Sequence, residues 1–165
     1  MNTPPAAQGA LPQDLRFYPP ETRPFAGEPS RRDFAIRPAG SRGEGLVALR
    51  AFAPGESVFT FTGDLVPHIT QFTLQMTPDL HIHDPYVMGK VLHHCAPNTL
   101  VDLEHRTFVA TQAIAPGDFV TMDYYQTEDV LFKSFTCRCG APQCRGAITG
   151  RRMTCNAPRA DGPGT

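Results

Sequence analysis

Three cysteines near the C-terminus, Cys137, Cys139 and Cys144, form a C-x-C-x4-C run interrupted by Gly140 and Pro142. Thiolates at that spacing, on a loop free to curl, can turn several sulfurs toward one point. That is the arrangement a tetrahedral zinc ion needs, and a structural zinc takes four protein ligands. The chain offers two further cysteines for the fourth place, Cys95 and Cys155. Cys95 lies in the internal, turn-rich segment Leu92-His93-His94-Cys95-Ala96-Pro97-Asn98, and Cys155 lies in the polar stretch after Arg151. A terminal stretch is held less firmly than an internal loop, so Cys95 is the favoured ligand and Cys155 the alternative. An internal ligand would also staple the C-terminus back onto the domain.

Other residues invite chemistry more weakly. His81 and His83, two apart on a strand, share a face, and with His93 and His94 they could gather a catalytic metal; solvated or hydrogen-bonded rings are the plainer reading. Gly43-Glu44-Gly45 lacks the third glycine and following helix of a dinucleotide loop, but glycines there let backbone approach a ligand closely. Tyr124, in Asp123-Tyr124-Tyr125 after an apolar strand, could aim its hydroxyl into a cleft. It could equally be an amphipathic aromatic at the edge of a core.

These groups need a scaffold, and the sequence describes a mainly β one. The chain has 165 residues, 41% of them hydrophobic, with 17 prolines, 14 glycines and a net charge of -1. One domain with a real core fits that length. Near-zero charge provides no global attraction for nucleic acid or membrane. There is no apolar run of bilayer length and no signal-peptide pattern at Met1, so a cytoplasmic address, with cysteines reduced, is the expectation. Residues 1–30 are rich in proline and read as a flexible arm, with Phe17, Tyr18 and Phe25 as possible docking points.

From Asp33 strands alternate with turns. Asp33–Arg37, Leu46–Phe52 and Ser57–Thr62 read as strands, the last two joined by the turn Ala53-Pro54-Gly55-Glu56. The phrase returns as Thr107–Ile114, the turn Ala115-Pro116-Gly117-Asp118, and Phe119–Tyr124. Two copies suggest two small sheets folded against each other. Thr70–Met76 alternates like another strand, Glu128–Phe135 could form one or two helical turns, and residues 151–165 read as a loose tail.

In this order the segments resemble the SET domain of protein lysine methyltransferases with a zinc-binding post-SET segment. The likeness runs from about Asp33 to Gly150. It is carried by Arg42-Gly43-Glu44-Gly45-Leu46-Val47-Ala48, Phe61-Thr62-Gly63-Asp64, His93-His94-Cys95-Ala96-Pro97-Asn98, Ile114-Ala115-Pro116-Gly117-Asp118 leading to Asp123-Tyr124, and Phe135-Thr136-Cys137-Arg138-Cys139-Gly140 with Cys144-Arg145-Gly146. The resemblance implies small curved β-sheets with a C-terminal pseudoknot, the SET-like part spanning 31–134 and the post-SET segment 135–150. It implies S-adenosylmethionine as methyl donor, a protein or peptide lysine as acceptor, and one zinc shared by Cys95, Cys137, Cys139 and Cys144. By the same likeness, cofactor contacts fall to Gly43, Glu44, Gly45, Leu46, Leu92 and His93, with Phe135 over the adenine. Tyr124 becomes the active-site tyrosine, and Phe61 and Met122 join it along the substrate channel. The chain departs from the family pattern at Leu92, where asparagine is usual, at His94, where a hydroxyl is usual, at Phe61, often tyrosine, and at Met122, where phenylalanine or tyrosine stands. A degenerate binding module and an S-adenosylmethionine-consuming enzyme of small molecules are the alternatives.

Overall fold

The computed structural model describes residues 10–152, and among these twelve short strands form five small sheets. Strand β1 (Phe34–Pro38) runs antiparallel to β2 (Glu44–Ala48). Between them Gly43 holds φ at 81°, a left-handed conformation that glycine adopts at no steric cost. A three-stranded sheet has β9 (Thr107–Ala110) between β3 (Ser57–Thr60) and β8 (Thr99–Asp102). A second has β6 (Leu80–His83) between β4 (Asp64–Val66) and β5 (Thr73–Thr77). Two pairs complete the set: β7 (Leu92–His93) parallel to β10 (Thr121–Met122), and β11 (Phe135–Thr136) antiparallel to β12 (Ala147–Ile148).

The two Pro-Gly phrases fold alike. Gly55 and Gly117 have φ of 83° and 95°, and the acid after each glycine turns back on its own turn. Glu56 accepts from the Ala53 N–H at 2.9 Å, and Asp118 accepts from the Ala115 N–H at 2.9 Å. The copies also meet: Phe52 bridges Ile114, and Val47 bridges Phe119. Apolar residues facing inward from these strands make the main core, in which Phe34 lies against Phe52 and Phe59, and Phe108 lies against Phe59 and Phe61. Phe34, Phe52, Phe59, Phe61 and Phe108 are the bulkiest of the fully buried side chains in a chain without tryptophan.

Two expectations require correction. Residues 10–30 are not a flexible arm: Arg16, Phe17 and Tyr18 are buried. Arg16 pairs with Glu28 at 2.7 Å, Arg31 covers the Phe17 ring, and the prolines shape local turns instead of blocking structure. Residues 1–9 and 153–165, the latter including Cys155, lie outside the described residues. The second correction concerns Glu128–Phe135, where no helical turn forms. Its backbone groups are taken by distant partners: the Asp129 N–H donates to the Gln75 side chain at 2.7 Å, and the carbonyls of Glu128 and Asp129 accept from the N–H groups of Arg151 and Arg152. The short 3-10 turn lies earlier, at Tyr124–Gln126.

Tyr18 reaches the buried carboxylate of Asp84 at 2.7 Å. Asp84 also accepts from the N–H groups of Tyr86, Val87 and Met88, and so shapes the loop that follows. Tyr18→Phe removes one donor from a carboxylate with no exposed surface. It is expected to cost about 1–3 kcal/mol in urea unfolding, and an unchanged midpoint would show that the contact contributes nothing.

Candidate active site and metal centre

The parallel pairing of β7 with β10 brings two distant segments together. Thr121 faces Leu92 and Met122 faces His93 in register, and the His94 N–H donates to the Met122 carbonyl at 2.9 Å. Asn98 secures the junction: its Nδ2 donates to the Phe119 carbonyl at 2.9 Å and its Oδ1 accepts from the Thr121 N–H at 2.8 Å. Immediately past β10 the chain turns through Tyr124, so Tyr124 and His93 end side by side with ring centres 5.1 Å apart. Phe135 closes edge-on against both, 5.8 Å from His93 and 6.2 Å from Tyr124.

These three aromatic residues form part of the wall of a 510 Å³ cavity. Apolar lining comes from Met88, Val91, Leu92 and Met122, charge from Arg42, Lys133 and Glu128. The Tyr124 hydroxyl donates to the Val91 carbonyl at 3.0 Å. Burial, with the charge of Glu128 adding to it, pushes that hydroxyl up to about 12, so it remains protonated. Burial lowers His93 to about 4, so its ring is neutral at pH 7. His93 Nδ1 accepts from the Tyr124 N–H at 3.1 Å, which places the ring proton on Nε2, 3.4 Å from Cys95 Sγ.

Of the residues singled out in the sequence, Gly43, Leu92, His93, Met122, Tyr124 and Phe135 line this cavity. Glu44, Gly45, Leu46 and Phe61 do not. Glu44 is exposed and pairs with Lys90 at 2.7 Å. Leu46 and Phe61 belong to the main core. Gly45, read as backbone open to a ligand, is buried; a Cβ there would meet Leu92 Cδ1 and the Phe119 ring at 2.7 Å, so the glycine serves packing.

The sulfurs of Cys95, Cys137, Cys139 and Cys144 all lie within 4.8 Å of one another. Four thiolates bound to tetrahedral zinc at about 2.3 Å would lie about 3.8 Å apart, and Cys95 and Cys137 are 3.9 Å apart. The donor set therefore fits zinc. The Arg145 N–H donates to Cys95 Sγ at 3.5 Å, while the Arg145 guanidinium grips Asp123 through two bonds of 2.9 and 2.6 Å. This ties the cysteine loop to the end of β10. Burial pushes the Cys137 thiol up to about 12. A cation among the four sulfurs would favour their thiolate forms.

No family model matches the chain, and no curated protein matches it in sequence. Solved structures do match it. KRYPTONITE in complex with mCHG DNA and SAH superposes with a TM-score of 0.57 at 20% identity, over 69% of this chain and 28% of that one. KRYPTONITE with mCHH DNA, an H3(1-15) peptide and SAH gives a TM-score of 0.56 at 20% identity, over 69% and 29%. The methyltransferase domain of the human histone-lysine N-methyltransferase SETMAR gives 0.57 at 16% identity, over 71% and 58%. The chain has a SET-domain fold. It spans less than two thirds of each of these neighbours.

Within the SET fold the histidine alternative loses its geometry. Among the described residues, the four cysteines are the one group of metal-ligating side chains that converges. His83 lies against Phe72, His94 caps its own turn by accepting from the Ala96 N–H at 3.0 Å, and buried His81 leaves Nδ1 unpaired. Sequence reasoning also missed the charged residues of the SET-fold cavity, Arg42 and Glu128 among them. Arg42 was read only as part of a motif, and Glu128 as a helix position. Neither has a local signal, because what places them is pairing with Phe119 and with β5 respectively.

Proposed function

We propose that the protein is an S-adenosylmethionine-dependent methyltransferase acting on lysine side chains of a protein or peptide. The observation that carries this is the cavity walled by Tyr124, His93 and Phe135 on a SET fold. S-adenosylmethionine, when bound, supplies an electrophilic methyl on a sulfonium. Phe135 and His93 offer flat apolar faces for its adenine, and Arg42 and Lys133 offer charge for its carboxylate. Leu92 gives no polar contact at its position, so the two cations take on that task. Zinc, held by Cys95, Cys137, Cys139 and Cys144, is structural, since four thiolates leave no open coordination position.

The acceptor must be a neutral amine, although free lysine has a pKa of about 10.4. The apolar walls at Met88, Val91, Leu92 and Met122 disfavour the ammonium by desolvation. Tyr124 spends its proton on the Val91 carbonyl, so its oxygen lone pairs remain to accept from the amine and hold its direction. Most of the rate then comes from holding nucleophile and methyl in line.

Calorimetric titration with S-adenosylmethionine, followed by transfer of labelled methyl to lysine peptides, tests the reading. Saturable binding and lysine-borne label are expected. The apolar Leu92 favours a second reading, a SET-fold binding module without methyl transfer. Absence of binding at millimolar cofactor would sink the enzyme reading and leave that one. Label appearing on a metabolite and on no protein would move the substrate to a small molecule.

A further inference from the structure

Among the described residues, Glu128 is the one acidic side chain lining the cavity, and it is only 6% exposed. A buried carboxylate is costly unless its charge is compensated. Both side-chain hydrogen bonds converge on one oxygen: Oε1 accepts from the Gln75 N–H at 3.0 Å and from the Thr127 hydroxyl at 2.8 Å. Oε2 has no hydrogen-bond partner among the described residues, and it is not among the atoms sealed inside the protein, as His81 Nδ1 is. No described cation pairs with Glu128 directly. Arg151 acts on it at longer range while its guanidinium is bonded to Asp129 and to the carbonyls of Gln126 and Thr127. Arg42 and Lys133 line the same cavity without bonding it. The backbone places the group beside the tyrosine, since the Glu128 N–H donates to the Tyr124 carbonyl at 2.8 Å.

We infer that Glu128 Oε2 receives the ammonium of the substrate amine, making Glu128 the residue that selects a cationic side chain. The inference rests on the methyl-transfer reading for the identity of that cation. A primary ammonium has the size, charge and donors to complete the unpaired oxygen. The pairing does not trap the amine in its charged form. Burial holds the Glu128 carboxyl above the usual carboxylate range. Passing one proton from the ammonium to Oε2 leaves a neutral amine and a neutral carboxylic acid, and burial favours that pair over two buried charges. The neutral amine is the form that can attack a methyl group. Neither oxygen of Glu128 is needed for the cysteine cluster or for the Tyr124 hydroxyl bond, so its charge can be removed with the rest of the site intact.

The test uses protein labelled with [methyl-13C]methionine, because Met88 and Met122 line the cavity and report on its contents. n-Butylammonium chloride serves as the lysine side-chain probe, 1-butanol as its uncharged counterpart, and sodium chloride as the ionic-strength control. The wild-type protein should bind n-butylammonium more tightly than 1-butanol. Glu128→Gln keeps an oxygen for Gln75 and Thr127 and loses only the charge. It should weaken n-butylammonium about tenfold or more and leave 1-butanol unchanged. Equal affinity of the wild-type protein for the two probes, or an unaltered preference in Glu128→Gln, overturns the inference, and the first of these needs no variant to fold. Titration with S-adenosylhomocysteine is run alongside. Cofactor binding without ammonium preference defeats this inference alone; ammonium preference without cofactor binding defeats the methyltransferase reading alone.

Discussion

Stripping metal from the purified protein with a strong chelator is expected to abolish S-adenosylhomocysteine binding while the β core stays folded. The described residues form two separate apolar clusters. The main one gathers the strands through Phe34, Phe52, Phe59 and Phe108, and contains none of the four cysteines. The second is small: Cys95, Cys137 and Ile148 are buried, with Tyr125, Leu131 and Phe135 packed against them. A cluster of that size gains little from burial alone, so a zinc ion on the four cysteines would supply much of its stability, as in small zinc domains. Phe135 belongs to this cluster and also forms part of the cavity wall. His93 joins cavity to cysteines through its Nε2 contact with Cys95. Losing the ion should therefore release Phe135 and loosen His93, removing two of the three aromatic walls. Cys139→Ser should act in the same direction, since a serine hydroxyl is a poor zinc ligand. Calorimetry before and after chelation, with circular dichroism on the same samples, gives the answer. A chelated protein that still binds cofactor normally would contradict the coupling.

Tyr124→Phe is expected to lower methyl transfer about a hundredfold or more, on the scale that misplacing a nucleophile costs, because the oxygen that holds the amine's direction is lost. The phenyl ring keeps the packing against His93 and Phe135, so S-adenosylhomocysteine affinity and the thermal midpoint should change little. The loss should fall on kcat, with KM for the peptide nearly constant, if the hydroxyl orients the amine in the reacting complex as proposed and adds little to ground-state binding. The hydroxyl cannot be acting as a general base in its ionised form, given that burial holds it near 12. The rate of the wild-type protein should accordingly show no inflection from Tyr124 below pH 10. A variant with wild-type kcat would remove Tyr124 from the reaction.

Much of this was legible before any coordinates. The cysteine spacing, the two Pro-Gly turns and the β-branched and aromatic runs are local signals, and local chemistry decides them. Gly55 and Gly117 take positive φ because the turn demands it, whatever surrounds them. Cys95 was also open to sequence reasoning as a ligand, since an internal loop is better held than a terminus; among the described residues its sulfur lies with the other three. What sequence reasoning misjudged depends on partners far along the chain. Proline-rich residues before Asp33 looked unstructured because their partners, such as Asp84 for Tyr18, lie 66 positions away. Glu128–Phe135 looked helical because nothing local reveals that Gln75, Arg151 and Arg152 would claim its backbone.

The cavity wall shows the division most clearly. Tyr124, His93 and Phe135 were named through the resemblance to the SET domain, which the motifs around them carry. Tertiary structure alone decided that Phe61 and Leu46 would be core, that Gly45 would make room for Leu92, and that Glu128 would be buried with one oxygen unpaired. The reason is physical. Turn and ligand chemistry act over a few residues, whereas burial is a property of the surfaces that the whole chain brings together.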